Sequence, residues 1–175
     1  MELIYKLDLP ELPLILTAPA QRKLFVGRDH PIYKQYHPKH LLQPQWLTYR
    51  GIEWDLVSFF YKHNYQGILH RDDGVNTWGI NWIYQGHAKM EYWRDEDVIS
   101  SEPQPDAIGS LVINCQTRAD PSHIYCLQPG AYLVNAHRPH RVQGYDHRYA
   151  LSLRCRSMNQ PWDQVVDQFK DLIVG

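Results

Sequence analysis

The sequence predicts a mainly β protein, an antiparallel sandwich or barrel. From about Leu56 onward, short stretches rich in aromatic and β-branched residues alternate with Gly, Asn and Asp turn signals. These stretches are short and closely spaced, which favours antiparallel pairing over the helical crossovers of a βαβ fold. The predicted strands are Leu56–Tyr61, Gly67–Arg71, Trp78–Tyr84, Lys89–Trp93, Leu111–Gln116, Ser122–Leu127, Ala131–Asn135, His140–Gln143 and Arg148–Cys155.

Two different segments flank this β core, which we place at residues 56–156. Residues 1–50 hold half of the twelve prolines and predict an irregular lead-in, with one short helix from about Ile32 to Leu42. Residues 160–174 predict an amphipathic helix against the outside of the sheet. Pro161 stands near its start, and its apolar residues recur at helical spacing: Trp162, Val165, Val166, Phe169, Leu172 and Ile173.

Length and composition predict one globular domain, residues 1–175. The formal charge is −1, from 18 basic and 19 acidic residues, so the charge balance indicates neither a nucleic-acid nor a membrane partner. The three cysteines are an odd number without Cys-x-x-Cys spacing, which argues against a disulfide framework or a structural zinc site. We see no signal peptide and expect a soluble, cytoplasmic protein.

The first chemical signal is the pair His70 and Asp72. These residues end a predicted strand, and side chains two apart on a strand point to the same face. An imidazole and a carboxylate are therefore presented together, about 7 Å apart at the backbone. The pair suits one metal ion, although His-x-Asp alone is a common sequence.

A third ligand has two candidates, His137 and His140, which lie three apart and so face opposite ways on an extended segment. His140 is the better choice because it opens an alternating segment that leads to a turn and another strand. Two histidines and a carboxylate are typical of non-haem Fe(II) oxygenases and leave three metal positions open. A bidentate 2-oxo acid and O2 can occupy those positions.

An arginine suited to a co-substrate carboxylate follows His140 by eight residues. A turn at residues 144–146 would place Arg148 on the neighbouring strand, pointing into the same interior. Arginine binds a carboxylate bidentately and stays charged when buried. Ser152 lies on the same strand face and offers a hydroxyl, while Arg154 continues that face nearer the end of the strand. A surface salt bridge is the alternative role for Arg148.

The order of several motifs resembles the 2-oxoglutarate/Fe(II) oxygenase superfamily, especially small phage and bacterial members related to aspartyl/asparaginyl and prolyl hydroxylases. The resemblance spans about residues 56–156. Its motifs are HRDDG at 70–74, WGINW at 78–82, EYW at 91–93, PGAYLVN at 129–135, PHRV at 139–142 and RYALS at 148–152.

This resemblance implies a double-stranded β-helix, the cupin-like jelly-roll, with His70, Asp72 and His140 as the iron ligands. It implies Arg148 as the anchor of 2-oxoglutarate and Asn81 as a polar residue of the co-substrate pocket. The implied activity is Fe(II)- and 2-oxoglutarate-dependent oxidation by O2. Because Asp72 is present, where halogenating members have a small residue, we expect hydroxylation of a protein side chain or an amino-acid-like substrate.

Aromatic residues around these motifs either line the substrate mouth or pack in the barrel: Trp78, Trp82, Tyr84, Tyr92 and Trp93. Two other functions remain open from the sequence. One is a cupin-like metalloenzyme of another class, such as an isomerase or hydrolase. The other is a non-catalytic domain with a binding, metal-binding or structural role.

Overall fold

A computed structural model describes residues 2–10, 32–36, 48–54, 56–62, 65–73, 77–105, 111–144, 148–155 and 160–175. Within these ranges the chain forms β-strands and a C-terminal helix, and no described helix is long and apolar enough to cross a membrane. The strands are β1 (Ile4–Leu7), β2 (Ile32–Tyr36), β3 (Thr48–Tyr49), β4 (Ile52–Glu53), β5 (Leu56–Lys62), β6 (Tyr65–Gln66), β7 (His70–Asp72), β8 (Trp78–Gln85), β9 (Ala88–Tyr92), β10 (Ile99–Ser100), β11 (Gln104–Pro105), β12 (Leu111–Gln116), β13 (His123–Leu127), β14 (Gly130–Asn135), β15 (His140–Gly144) and β16 (Arg148–Arg154).

The strands form two antiparallel sheets and one small hairpin. The six-stranded sheet has the order β1-β14-β8-β16-β5-β2. The eight-stranded sheet has the order β10-β12-β7-β15-β9-β13, with β11 beside β12 and β6 beside β15. The hairpin is β3-β4.

The strand order is that of a jelly-roll. Four antiparallel pairs are nested along the chain and alternate between the sheets: β5 with β16, β7 with β15, β8 with β14, and β9 with β13. A long hairpin rolled on itself gives this nesting, which is the double-stranded β-helix found also in cupins. The predicted fold class is therefore confirmed.

Alternation along the strands gives the six-stranded sheet two buried faces. Its inner face contributes Ile83, Tyr132 and Val134 to a cluster that also contains Met90 and Tyr92 of the eight-stranded sheet, so this inner cluster lies between the sheets. Its outer face contributes a second, outer cluster that includes Trp78, Trp82, Leu133, Leu151 and Leu153.

The predicted C-terminal helix covers this outer face. Helix α1 spans Trp162–Phe169, follows Pro161 and continues as a 3₁₀ turn over Lys170–Leu172. Val165 and Phe169 are fully buried in the outer cluster, where the rings of Phe169 and Trp78 lie 6.2 Å apart. An amphipathic helix packed outside the sheet is what the apolar periodicity predicts.

The predicted helix at Ile32–Leu42 is wrong where the structure describes it. Residues 32–36 form strand β2, which pairs with β5 from Ile32 opposite Tyr61 to Tyr36 opposite Val57. Residues 37–42 lie outside the described part of the chain. Ile and Tyr favour strands, and a free sheet edge offers their backbone a ladder of hydrogen bonds, so tertiary pairing overrides the proline-bounded helical signal.

The lead-in is also less irregular than predicted. Strand β1 pairs with β14, from Ile4 opposite Val134 to Leu7 opposite Ala131. Its free edge meets the C-terminus, where the Val174 N–H donates to the Lys6 carbonyl and the Asp8 N–H to the Leu172 carbonyl. The nine predicted strands all overlap observed ones; the largest difference is at Gly67–Arg71, where β7 begins only at His70.

Candidate metal centre

Three predicted ligands converge on one point of the inner face. Strand β7 presents His70 and Asp72 on the same side, and β15 begins with His140 directly opposite His70. One ligand atom from each side chain lies within 4.8 Å of the others, and His70 Nε2 is 3.7 Å from Asp72 Oδ1. The backbone N–H of Asp72 donates to the Ala136 carbonyl at 2.9 Å, which ties the end of β7 to the loop before β15.

Both imidazoles are oriented by the same kind of backbone contact. Nδ1 of His70 lies 2.8 Å from the Ile68 carbonyl oxygen, and Nδ1 of His140 lies 2.9 Å from the Arg138 carbonyl oxygen. A carbonyl can only accept, so in each ring the proton sits on Nδ1 and Nε2 carries the free lone pair. Such outer contacts fix the tautomer of a metal-binding histidine.

Burial keeps His140 in the neutral form that a metal requires. Desolvation is the main cause that lowers its pKa well below the ordinary value, and electrostatic interactions with His70 and Arg154 lower it further. The hydrogen bond to Arg138 acts in the opposite direction. At neutral pH His140 is therefore an uncharged ligand.

Tyr92 supports His140 from the adjacent strand. The two rings lie 5.7 Å apart, and the Tyr92 hydroxyl donates to the Asn135 carbonyl at 2.8 Å, across to the six-stranded sheet. Burial, above all, raises the pKa of this hydroxyl well above its ordinary value, so it remains a neutral donor. Asn135 pairs with Trp78 at the start of β8, beside Gly79. The hydrogen bond therefore places Tyr92 and the neighbouring metal centre across the barrel from the start of β8, a position along the barrel that we call the level of the metal centre.

The donor set fits Fe(II). Two neutral imidazole nitrogens and one carboxylate match the facial ligand set of non-haem iron enzymes, whereas hydrolytic zinc sites more often have three histidines or two histidines and a glutamate. His137, the rejected alternative, lies in the loop between β14 and β15, and its N–H is held by the Asn135 side chain.

Polar side chains of β16 and β8 face the barrel interior near the metal centre. Arg148, Ser152 and Arg154 alternate along β16 toward the inside, and Asn81 of β8 stands directly opposite Ser152. Arg148 and Ser152 are almost fully buried, at 5% and 1% exposure. Each of these four side chains has one buried atom without a hydrogen-bond partner among the described residues: Asn81 Oδ1, Arg148 Nε, Ser152 Oγ and Arg154 Nη1.

Arg154 lies nearest to the metal centre. It is paired with Gly79 on β8, and a Cβ on Gly79 would lie 2.6 Å from the Leu153 carbonyl and closer still to the Arg154 guanidinium. The missing side chain of Gly79 therefore makes room for this guanidinium. The Arg154 charge lowers the pKa of both His140 and Tyr92, consistent with its place across the barrel from them.

The aromatic residues take different places. Trp78 and Trp82 pack in the outer cluster with Tyr84 against it, so these three belong to the packing of the sheet. Tyr92 faces the interior, and Trp93 packs in a third cluster with Leu69, Ile113 and Cys115. Trp78 and Trp93 also line an open groove beside residues that flank the ligands, Arg71, Asp73, His137 and Arg138.

Sequence reasoning missed Tyr92 as the neighbour of His140 and gave Arg154 little weight. It also missed Asn114 of β12, which is paired with His70 of the neighbouring strand β7. Period-two alternation from Arg148 includes Arg154, so that signal was present in the sequence. The Asn114 contact depends on strand register and carries no local signal.

Comparisons with known proteins find similar folds among solved structures. No family model matches the chain, and no curated protein matches it. A vicilin from Solanum melongena, described as holding different anionic ligands in structurally similar pockets, is 12% identical with a TM-score of 0.42, over 86% of this chain and 41% of that one. An 11S allergen from Cocos nucifera is 12% identical with a TM-score of 0.43, over 85% and 37%.

This chain thus spans about two fifths of the length of those proteins. At these TM-scores the likeness carries no functional argument. Strand order and site geometry define the class: a jelly-roll protein with a candidate His–Asp–His metal centre inside its barrel.

Proposed function

We propose that this protein is an Fe(II)- and 2-oxoglutarate-dependent dioxygenase that hydroxylates a C–H bond of a protein side chain or amino-acid-like substrate. The observation that carries the proposal is the convergence of His70, Asp72 and His140, with both histidines held so that Nε2 is free. Bound iron would supply the activation of O2, coupled to oxidative decarboxylation of 2-oxoglutarate.

The chain's own residues contribute binding, orientation and exclusion of water. His70, Asp72 and His140 would hold the iron, and the Ile68 and Arg138 carbonyls would keep the imidazoles aimed at it. The distal carboxylate of 2-oxoglutarate requires a cation, and two interior arginines are available. Arg148 is the one the sequence predicts, and Arg154 is the one at the level of the metal centre. Ser152 adds a hydroxyl and Asn81, directly opposite it on β8, adds an amide.

The unpartnered polar atoms support a polar ligand in this interior. A buried polar atom without a hydrogen bond is costly, by roughly 1–3 kcal/mol for a neutral group, and more for a charged one. A dicarboxylate that extends from the metal into this interior would accept hydrogen bonds from the Ser152 hydroxyl and from one of the two arginines.

Anaerobic addition of Fe(II) and 2-oxoglutarate tests the proposal, because a chelated 2-oxo acid gives a weak visible charge-transfer band. We expect the band in wild type and its loss in Asp72→Ala and His140→Ala. His137→Ala is the matched control: it removes a histidine three residues from His140 and should keep the band.

Each other outcome identifies a competing function. Stoichiometric metal without a 2-oxoglutarate band would mean a metalloenzyme of another class, and Arg148→Ala would then leave its activity intact. Absence of stoichiometric metal after Fe(II) loading would mean a non-catalytic domain.

A further inference from the structure

Two arginines flank the candidate ligands on the side turned away from the metal. Arg71 stands between the two ligands of β7, so alternation turns its side chain to the opposite face of that strand. Its partner across the sheet is Ile113, a buried residue of the third cluster. Arg138 precedes His140 by two residues, in the loop that leads into β15. Both arginines line the same open groove.

One carboxylate pairs with both arginines. Oδ1 of Asp95 lies 3.4 Å from Nη1 of Arg71, and Oδ2 of Asp95 pairs with Nη1 of Arg138. The two oxygens of a single side chain thus contact two parts of the chain that are far apart in sequence, and each part carries metal ligands. We call these three side chains the Asp95 bridge.

The backbone that carries Asp95 is held in place. Asp95 opens a short 3₁₀ turn, Asp95–Asp97, just after β9, the strand that pairs with β15. Before the turn, the buried Trp93 donates its backbone N–H to the Pro139 carbonyl at 3.0 Å. At the end of the turn, the Thr117 hydroxyl donates to the last carbonyl at 2.6 Å. The carboxylate therefore projects from an anchored segment.

Backbone pairing joins the two ligand-bearing strands at few points. Strands β7 and β15 are paired at one position, His70 opposite His140, and the Asp72 N–H adds one hydrogen bond to the Ala136 carbonyl. Strand β6 adds two pairs at the far end of β15, and residues 67–69 lie outside both strands. By contrast, β15 pairs with β9 at five positions. A link between side chains therefore adds to a sparse backbone junction.

The Asp95 bridge reaches His140 through the backbone of Arg138. The Arg138 carbonyl oxygen lies 2.9 Å from Nδ1 of His140, so a shift of this backbone would turn the imidazole. On β7, a shift of Arg71 would move the ligands on either side of it. Contacts that orient metal ligands from outside contribute about ten- to hundredfold to metal affinity.

We propose that Asp95 is a positioning residue of the metal centre, which holds the ligands of β7 and β15 at their mutual spacing through Arg71 and Arg138. The inference rests on the proposed function only for the assignment of those ligands. The members of the Asp95 bridge have side-chain exposures of 27% to 48%, so solvent screens their attraction and the expected effect is modest.

Zinc affinity, measured by competition with a chromophoric chelator, tests the Asp95 bridge. We expect Asp95→Ala to weaken zinc binding about fivefold. Arg138→Ala should also weaken it, because the guanidinium is lost while the carbonyl that orients His140 is kept. This direction is informative, since removal of a nearby positive charge would by itself tighten the binding of a cation. The double variant should be no weaker than Asp95→Ala, because both changes break the same contact.

Asp97→Ala is the matched control. Asp97 is an exposed acid of the same 3₁₀ turn, and it has no ion pair with a described residue, so its removal should leave zinc affinity unchanged. Asp95→Asn is a second variant of nearly the same shape. Its amide offers an oxygen on one side only and cannot hold two arginines, so it should weaken zinc binding as well. The unfolding temperature of each metal-free variant should match that of wild type.

Several results would overturn the proposal. They are unchanged zinc affinity in both Asp95 variants, tighter binding in Arg138→Ala, an equal loss in Asp97→Ala, or a loss that accompanies a lower unfolding temperature of the metal-free protein. The two proposals fail separately. The expected zinc pattern without a 2-oxoglutarate band would keep the Asp95 bridge in a metalloprotein of another class. A band with unchanged zinc affinity in the Asp95 variants would keep the oxygenase alone.

Discussion

At the scale of single residues, the position of the two interior arginines matters most. They are six residues apart on β16, about 20 Å along the strand. Arg154 is level with the metal centre, while Arg148 lies three inward-facing positions deeper. A five-carbon dicarboxylate bound to the metal extends only about 6 Å by ordinary bond lengths. Distance from the metal centre therefore favours Arg154 over Arg148 as the contact for the distal carboxylate. Ser152 is the next inward-facing polar residue along β16.

Affinity for 2-oxoglutarate separates the two arginines. We expect Arg154→Ala to weaken binding of 2-oxoglutarate roughly ten- to hundredfold, since a hydrogen bond to a charged group contributes about 1.5–3 kcal/mol. Titration of the charge-transfer band measures this affinity, with the iron stoichiometry of each variant as the control. If Arg148→Ala has the larger effect at equal iron content, Arg148 is the anchor, as the sequence predicts.

At the scale of elements, one small hairpin fastens the C-terminal helix. Arg50 and Gly51 join β3 to β4 with φ values of +54° and +75°, the signs that a type I′ turn requires. The Arg50 guanidinium donates to the Gln168 carbonyl at 2.9 Å and pairs with Asp171, and Gln168 Nε2 donates back to the Arg50 carbonyl at 2.8 Å. A cation at the last turn of α1 also suits the helix dipole.

Two substitutions of Arg50 separate the effect of the turn geometry on stability from the effect of the side-chain contacts. Arg50→Gly removes the contacts but also relieves the strain of about 1 kcal/mol that a residue with a side chain suffers at positive φ, whereas Arg50→Ala removes the same contacts and keeps that strain. Thermal unfolding should therefore rank both wild type and Arg50→Gly above Arg50→Ala. An Ala variant as stable as the Gly variant would contradict the turn geometry.

The pH dependence of stability tests the Arg50–Asp171 ion pair, because acid protonates Asp171. The hydrogen bond from Arg50 is the main cause that lowers the pKa of the Asp171 carboxyl below 3.8. A carboxyl group whose pKa is lower in the folded state stabilises the fold at pH values above its unfolded-state pKa. This stabilisation is lost as the pH falls through the folded-state pKa. The stability gap between wild type and Arg50→Ala, which have the same positive-φ strain, should accordingly narrow below about pH 4.

At the scale of the whole molecule, two parts of the chain come together only on folding. His70 and His140 belong to strands that are paired in the eight-stranded sheet but far apart in sequence. A metal that binds the folded chain and not the unfolded one raises the free energy of unfolding by RT ln(1 + [M]/Kd), about 2.7 kcal/mol at a hundredfold excess over Kd.

Metal removal should therefore lower the unfolding temperature of wild type and leave Asp72→Ala nearly unchanged. Differential scanning calorimetry with Zn(II), and again with a chelator, measures both. His137→Ala should behave as wild type, and equal metal responses in all three proteins would place the bound ion elsewhere.

The sequence predicts what is local in this molecule and misses what depends on pairing. Stretches rich in aromatic and β-branched residues between turn signals locate the nine predicted strands, and helical periodicity locates α1, because each pattern lies within one element. Strand β2 was mistaken for a helix and β1 was missed, since their partners, β5 and β14, decide their conformation. The site follows the same division: His70 and Asp72 are visible from spacing, but Asn114 becomes their neighbour only through the register of β12.

The nested strand pairs have a consequence for biosynthesis. The innermost pair, β9 with β13, is complete in the nascent chain before the outermost, because β5, although it is made first, must wait for residues 148–154 to leave the ribosome. At about 5–20 residues per second this wait lasts several seconds, during which the edge of β5 is without its β16 partner. Contacts this distant in sequence also slow folding. A message truncated before residue 148 would thus yield a chain that exposes open strand edges, a substrate for chaperones and proteases.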